Sequence, residues 1–208
     1  MCAIFGSYDI DKFKELAELN SYRGQHSYSI SAYIPKSKSL TLIDKGFGAF
    51  KMPPIGFYET AYWIGHIQAP TSGERTLDTV HPSQEDNSWL WHNGIIKEDF
   101  VKEMQGVYGD HSWDTQLLNL WLNDQRSLDE VDGTFSCLRF KDGCLELFRN
   151  EISPMFVDGE LNISSTKFAK SSKSKANKVL SMNFDDNVLV DGPSFTTKEN
   201  PYYFVNGV

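Results

Sequence analysis

The stretch GTFSCLRFKDGCLELFRNEISPMFVDGELNIS, residues 133–164, decides the fold class. Four short runs, 133–139, 144–149, 155–157 and 161–164, mix apolar and polar residues in the alternation of half-buried strands. Asp-Gly pairs at 142 and 158 predict hairpin turns between them. Strands joined by such short turns pair antiparallel, so this region reads as a meander. Upstream, residues 62–67 and 88–92 are strand-like, whereas 99–107 and 114–123 read as helices, the second turning Leu117, Leu118 and Trp121 inward. Residues 27–34 and 39–43 form a predicted hairpin split by Pro35 and a lysine-serine turn. At the front, Cys2-Ala3-Ile4-Phe5-Gly6 is a short apolar strand, and residues 11–20 place Phe13, Leu16 and Leu19 at helical spacing. Regular βαβ alternation is missing. The order therefore predicts an α+β fold of two antiparallel sheets covered by a few helices, not a doubly wound sheet.

The chain's 208 residues, 40% of them hydrophobic, suffice for one domain with a substantial core. With 20 Lys and Arg against 28 Asp and Glu, the net charge of −8 repels phosphate backbones and anionic lipids, which excludes nucleic acid as an expected partner. No apolar run reaches membrane-spanning length and no basic flank precedes an apolar signal core, so the expectation is no membrane and a cytoplasmic location. Cys2, Cys137 and Cys144 form no metal-ligand pattern and their odd number argues for free thiols. The remaining histidines His92 and His111 lack a ligand cluster, so no metal and no cofactor is expected. The aromatics Phe47, Phe50, Phe57, Tyr58, Tyr62 and Trp63 read as core, because few basic residues interleave with them. The lysine- and serine-rich segment 170–178 reads as a surface loop or frayed helix.

A cysteine at position 2 has a chemical consequence. Removal of Met1 would leave Cys2 with both a thiol and a free α-amine, a nucleophile and a matched base on one residue. With Met1 retained, that nitrogen is an amide. The alternative is a small buried hydrophobe at the start of a strand. Four further segments follow in order: Tyr22-Arg23-Gly24-Gln25-His26-Ser27, Gly65-His66-Ile67-Gln68-Ala69-Pro70-Thr71-Ser72-Gly73, His92-Asn93-Gly94-Ile95-Ile96, and Asp114-Thr115-Gln116.

Together these segments resemble the glutaminase domain of the N-terminal-nucleophile (Ntn, class II) glutamine amidotransferases, with its CGI(F/V)G start, RGxDSAG, GHxRxxTxG, HNG and D(T/S)E marks. The chain is most similar to the glutaminases of glucosamine-6-phosphate synthase and phosphoribosylpyrophosphate amidotransferase. The resemblance runs to about Ala169, through Ser153-Pro154-Met155 and residues 164–169.

The resemblance implies a four-layered α/β/β/α Ntn-hydrolase sandwich over residues 2–208, with 181–208 a C-terminal tail packed on the domain or on a partner. It implies that Cys2 attacks the side-chain amide of L-glutamine, releasing ammonia through a thioester that water hydrolyses to glutamate. The Asn93 amide and Gly94 backbone N–H would hold the oxyanion, although Asn-Gly alone also suits a β-turn. Asp114 would hold the substrate's α-ammonium, although a carboxylate opening a helix also suits a cap. Arg23 would orient the site, and residues 66–81 would form a closing loop with Thr71 and Ser72 as hydrogen-bonding groups.

The chain departs from the pattern at Ala3, His26 and Ser72, and most at Gln68, which stands where the family carries a carboxylate-binding arginine. Arg75 is a candidate replacement. The implied partner is an ammonia-consuming synthase on a separate chain. Two alternatives are an Ntn amidohydrolase acting on another linear amide, and a catalytically silent binding subunit with the same fold.

Overall fold

A computed structural model describes residues 2–52, 60–69, 76–111 and 113–198. The chain opens with β1 (Ala3–Ser7), crosses helix α1 (Ile10–Asn20), and returns through the hairpin β2 (Ser27–Ile34) and β3 (Ser39–Phe47) to β4 (Tyr62–Gln68). It then lays down β5 (Ser83–Glu85) and β6 (Ser88–Ile96), two helices α2 (Glu98–Tyr108) and α3 (Asp114–Asn123), and the hairpin β7 (Gly133–Lys141) and β8 (Cys144–Arg149). Short strands β9 (Phe156–Val157), β10 (Ile163–Ser164) and β11 (Ser172–Lys173) precede the closing pair β12 (Lys178–Asn183) and β13 (Val188–Ser194).

These strands form two antiparallel sheets, ordered β11-β9-β10-β1-β4-β2-β3 and β13-β12-β8-β7-β6-β5. Each central strand sends alternate side chains to opposite faces. In β4, Trp63 and Ile67 pack with Phe13 and Leu16 of α1, while Tyr62 and Ile64 pack with Trp91, Leu138 and Leu147 of the second sheet. In β6 and β7, Leu90, Phe135 and Cys137 face Phe100, Leu118 and Trp121 of α2 and α3. Three apolar layers thus separate four structural ones, the α/β/β/α sandwich expected from the resemblance. No helix among the described residues is long and apolar enough to cross a membrane.

The first Asp-Gly pair makes the tight turn expected of it, with Asp142 at φ 50° and Gly143 at φ 80°. The second does not. The β9–β10 connection is a longer loop in which Leu161 takes the left-handed conformation, and Asp158 Oδ1 accepts from the backbone N–H groups of Glu160 and Asn162. The lysine- and serine-rich segment supplies edge strand β11 and the first residue of β12. Of the stretch 181–208, residues to Ser194 complete the outer strand pair, and Phe195 stacks on Phe135 in the helix-side core. The aromatic segment 201–205 lies outside the described residues, as do Phe57 and Tyr58.

Candidate active site

Along the strands, the layer between the sheets changes character. At one end β4 contributes Tyr62 and Ile64, and at the other His66 and Gln68. In the same direction β6 runs from Trp91 to Asn93, β7 from Leu138 to Ser136, and β2 from Tyr33 through Ser31 and Ser29 to Ser27. Cys2, directly before β1, lies at the polar end and is only 7% exposed. Burial pushes its thiol above the ordinary value. A hydrogen bond from the Ala69 backbone pulls the other way, Asp114 raises it further, and Arg23 lowers it. A buried thiol of this kind needs a base beside it to become a nucleophile.

Arg23, at the end of a short 3₁₀ turn, donates from Nε to the Cys2 carbonyl at 2.9 Å. Its Nη1 lies 3.5 Å from Thr166 Oγ1, which donates in turn to Asn20 Oδ1 at 2.8 Å. The arginine thereby holds the backbone of the cysteine. A Cβ on Gly24 would sit 2.5 Å from the Gln68 carbonyl carbon, so only glycine lets the turn lie against the end of β4. There His26 N–H donates to the Gln68 carbonyl at 3.0 Å.

Asn93 and Gly94 occupy the interior of β6, opposite Ser136 and Phe135 of β7, which excludes the β-turn reading of this dipeptide. A Cβ on Gly94 would fall 1.8 Å from the Thr134 carbonyl oxygen, so the glycine permits the close approach of the two strands. The Asn93 side chain is buried and donates from Nδ2 to Ser165 Oγ at 3.1 Å. Ser165 Oγ also accepts from Ile4 N–H at 3.0 Å, and Ser165 N–H donates to the Ile4 carbonyl at 2.9 Å. Ser165 therefore ties the segment carrying the cysteine to the amide on the opposite sheet.

Asp114 is the first residue of α3 and not its cap. The cap position is Trp113, which makes no side-chain cap bond. The carboxylate accepts from Thr115 Oγ1 at 3.3 Å and lies in the first turn, where the helix dipole favours negative charge.

Gln68 is 4% exposed and its amide is spent inside the protein. Its Oε1 accepts from Ser27 Oγ at 2.9 Å and faces His81 Nδ1 at 3.4 Å, while Nε2 donates to the Thr79 carbonyl at 3.4 Å. The side chain thus braces the end of β4. Thr71, Ser72 and Arg75 lie outside the described residues.

Behind Gln68, His66 and His81 stack with ring centroids 3.8 Å apart. His66 Nε2 meets the His92 carbonyl at 3.2 Å, His81 Nε2 meets Thr115 Oγ1 at 3.2 Å, and His92 Nδ1 meets the same hydroxyl at 3.3 Å. Burial pushes His66 down to about 3 and His81 well below its ordinary value, so both rings are neutral at pH 7. No group of three His, Cys, Asp or Glu among the described residues is arranged to hold a metal. A cleft of about 440 Å³, whose lining includes Lys45, Thr79, Glu85, Trp113 and Gln116, opens next to His81; Cys2 does not line it.

The structure thus gathers Cys2, Arg23, Asn93, Gly94 and Asp114 at one end of the sandwich, and adds Ser165, Thr166, Asn20 and the His66–His81 stack. The motifs quoted from the sequence already contain His66 and residues 164–169; the bond from Thr166 to Asn20 and the stacking of His81 on His66 are what the structure adds.

No protein-family model matches the sequence, and no curated protein sequence matches it. Solved structures do. Glutamine phosphoribosylpyrophosphate amidotransferase from B. subtilis, complexed with ADP and GMP, superposes with a TM-score of 0.69 at 20% identity, over 96% of this chain and 50% of that one. A structure described as the allosteric regulatory enzyme of purine biosynthesis gives 0.68 at 20%, over 92% and 48%. A glutamine aminotransferase class-II domain protein from Silicibacter pomeroyi gives 0.52 at 12%, over 94% and 99%. The chain has the Ntn-hydrolase sandwich fold of these proteins, and spans about half the length of the first two.

Proposed function

We propose that this chain is a class II glutamine amidotransferase module, an amide hydrolase that uses Cys2 to release ammonia from L-glutamine. The observation that carries the reading is a buried cysteine whose carbonyl Arg23 holds, two residues before Ile4, where the Ser165 hydroxyl accepts from both Ile4 N–H and the Asn93 amide of the opposite sheet.

In this reading Met1 is removed and the Cys2 α-amine accepts the thiol proton as Sγ attacks the amide carbon. The second N–H of the Asn93 amide and the Gly94 backbone N–H stabilise the oxyanion. The amine returns its proton to the departing ammonia. Water then attacks the thioester, yielding glutamate and the free thiol. Asp114 pairs with the substrate ammonium, Thr71 and Ser72 hydrogen-bond the substrate, and the ammonia passes to a synthase on a separate chain.

Intact mass before and after incubation with a diazo-ketone glutamine analogue, beside Cys2→Ser, tests this directly. Protein lacking Met1 that gains one adduct, with none on the variant, is the expected result. Retained Met1 in active protein, or an adduct on the variant, overturns the mechanism.

One observation favours a second reading, an Ntn amidohydrolase for another linear amide: Gln68, which stands at the family's arginine position, is buried and bonds Ser27 and the Thr79 carbonyl. Comparing hydrolysis of glutamine with that of uncharged linear amides separates the two. A higher kcat/KM for the latter selects the second.

A further inference from the structure

The interior of the sandwich behind Cys2 carries polar atoms that the proposed reaction does not use. Among the described residues, five buried side-chain atoms have no hydrogen-bond partner: Ser29 Oγ, Ser31 Oγ, His66 Nδ1, Trp91 Nε1 and Ser136 Oγ. All five side chains face the layer between the sheets. Strand alternation places Ser29 and Ser31 on the face of Tyr33, His66 on that of Ile64, and Ser136 on that of Leu138; Tyr33, Ile64, Leu138 and Trp91 all belong to the inter-sheet core. Buried polar groups elsewhere are paired, as Asn119 is with Ser88 and Arg139 with Asn123. Four of them, His66 Nδ1 and the three serine hydroxyls, are complementary to one and the same kind of small polar molecule.

Register locates them. His66 pairs with Ile4 of β1 and with Ser29 of β2, and Ser31 pairs with Ile64 one row deeper. Gln68 and Ser27 form the row before, at the level of Cys2. Rows on one face are about 7 Å apart, so His66 stands one row behind the nucleophile. Its Nε2 donates to the His92 carbonyl, so the ring reaches the second sheet beside Asn93, whose pairing partner is Ser136. That bond fixes the tautomer: Nδ1 carries a lone pair and is an acceptor without a donor. Ser29, its neighbour across the strands, does not reach it. Two polar groups paired across adjacent strands on a buried face, each without a protein partner, suit a bridged contact.

We infer that this layer contains a binding site for a small uncharged molecule with N–H or O–H donors, held between His66 Nδ1 and the hydroxyls of Ser29, Ser31 and Ser136. The occupant must donate to Nδ1 and accept from serine hydroxyls, and it must be neutral, because His66, its stacked partner His81 and the serines offer no charge to offset a buried ion. Water and ammonia share this chemistry. The site stands on the geometry alone; only its occupation by ammonia rests on the proposed reaction, whose product that is.

The test is ¹⁵N NMR of the histidine rings in the full chain, with His66 assigned by loss of its signals in His66→Gln. A hydrogen-bonded Nδ1 with cross-peaks from the ring to a long-lived water supports the water-filled site. Saturable movement of that resonance on adding ammonium chloride at alkaline pH, absent with sodium chloride, assigns ammonia. A free lone pair at Nδ1 that neither salt moves overturns the proposal. Thermal unfolding of Ser29→Ala and Ser136→Ala gives a second readout. Both variants lower Tm if their hydroxyls hold a bridging molecule, and raise it if they are merely unpaired. Neither measurement uses turnover, so failure of the Cys2 chemistry and failure of this site are distinguishable.

Discussion

The two ends of the inter-sheet layer are built by the same strands and behave as different materials. At one end Tyr33, Tyr62, Trp91, Leu138 and Leu147 pack without charge. At the other, two to six residues further along β2, β4, β6 and β7, stand His66, Gln68, Asn93, Ser136 and Ser29, and Cys2 lies among them. The apolar end supplies cohesion, which lets the polar end tolerate a buried thiol, two neutral imidazoles and hydroxyls without protein partners. Stability and chemistry are thus separated along the strand axis of one layer.

The sharpest test of that separation is a substitution at each end. Cys2→Ser is expected to reduce glutamine hydrolysis by roughly 10³-fold or more while moving Tm by no more than about 2 °C. Trp91→Ala, at the apolar end, is expected to cost about 3–5 kcal/mol, a fall in Tm of roughly 10 °C, while the surviving folded protein keeps its kcat within a few-fold. Thermal melts and initial rates on both variants check the pair. A large stability loss on Cys2→Ser would erase the distinction.

Acid sharpens it next. The folded pKa values of His66 and His81 lie below the unfolded value, so the unfolded chain binds more protons in the window between them. Their contribution to stability is complete above about pH 6.5 and is lost as pH falls, for His66 towards about 3. Each contributes a slope of roughly 1 kcal/mol per pH unit. Denaturant titrations at stepped pH should show this decline, and His66→Gln should flatten it; an unchanged slope would remove His66 from the account.

The smallest effect concerns Gln68. Its amide is already paired with Ser27 and the Thr79 carbonyl, so Gln68→Arg buries a larger, charged group there and is expected to cost about 2 kcal/mol without raising the rate on glutamine. A gain in kcat/KM for glutamine would show instead that the position faces substrate.

Much of this architecture was legible in advance, for identifiable reasons. Residues 27–34 and 114–123 have the bounds read from their periodicity, because one alternates from Ser27 to Ala32 and the other carries a helical apolar face after an acidic start. Strand β6 continues four residues beyond the expected His92, since pairing with β7 overrides the turn preference of Asn-Gly. Strands β9 and β10 fall within the runs 155–157 and 161–164, whereas β11, two residues inside the lysine- and serine-rich segment read as a loop or frayed helix, is too short for any periodic signal and exists because β9 pairs with it.

The order of motifs, the nucleophile candidate and the alternation that assigns each side chain to a face were properties of the sequence, because local spacing determines which residues share a face. Tertiary structure alone decided that Ser165 links Ile4 to Asn93 across 161 and 72 residues of chain, and that Gln68 is spent on Ser27 and Thr79. It also placed the His66 lone pair behind Cys2 without a partner from the protein among the described residues. Hydrogen-bond partners of buried side chains are set by which strands meet in space, and pairing between distant strands leaves no periodic trace in the sequence.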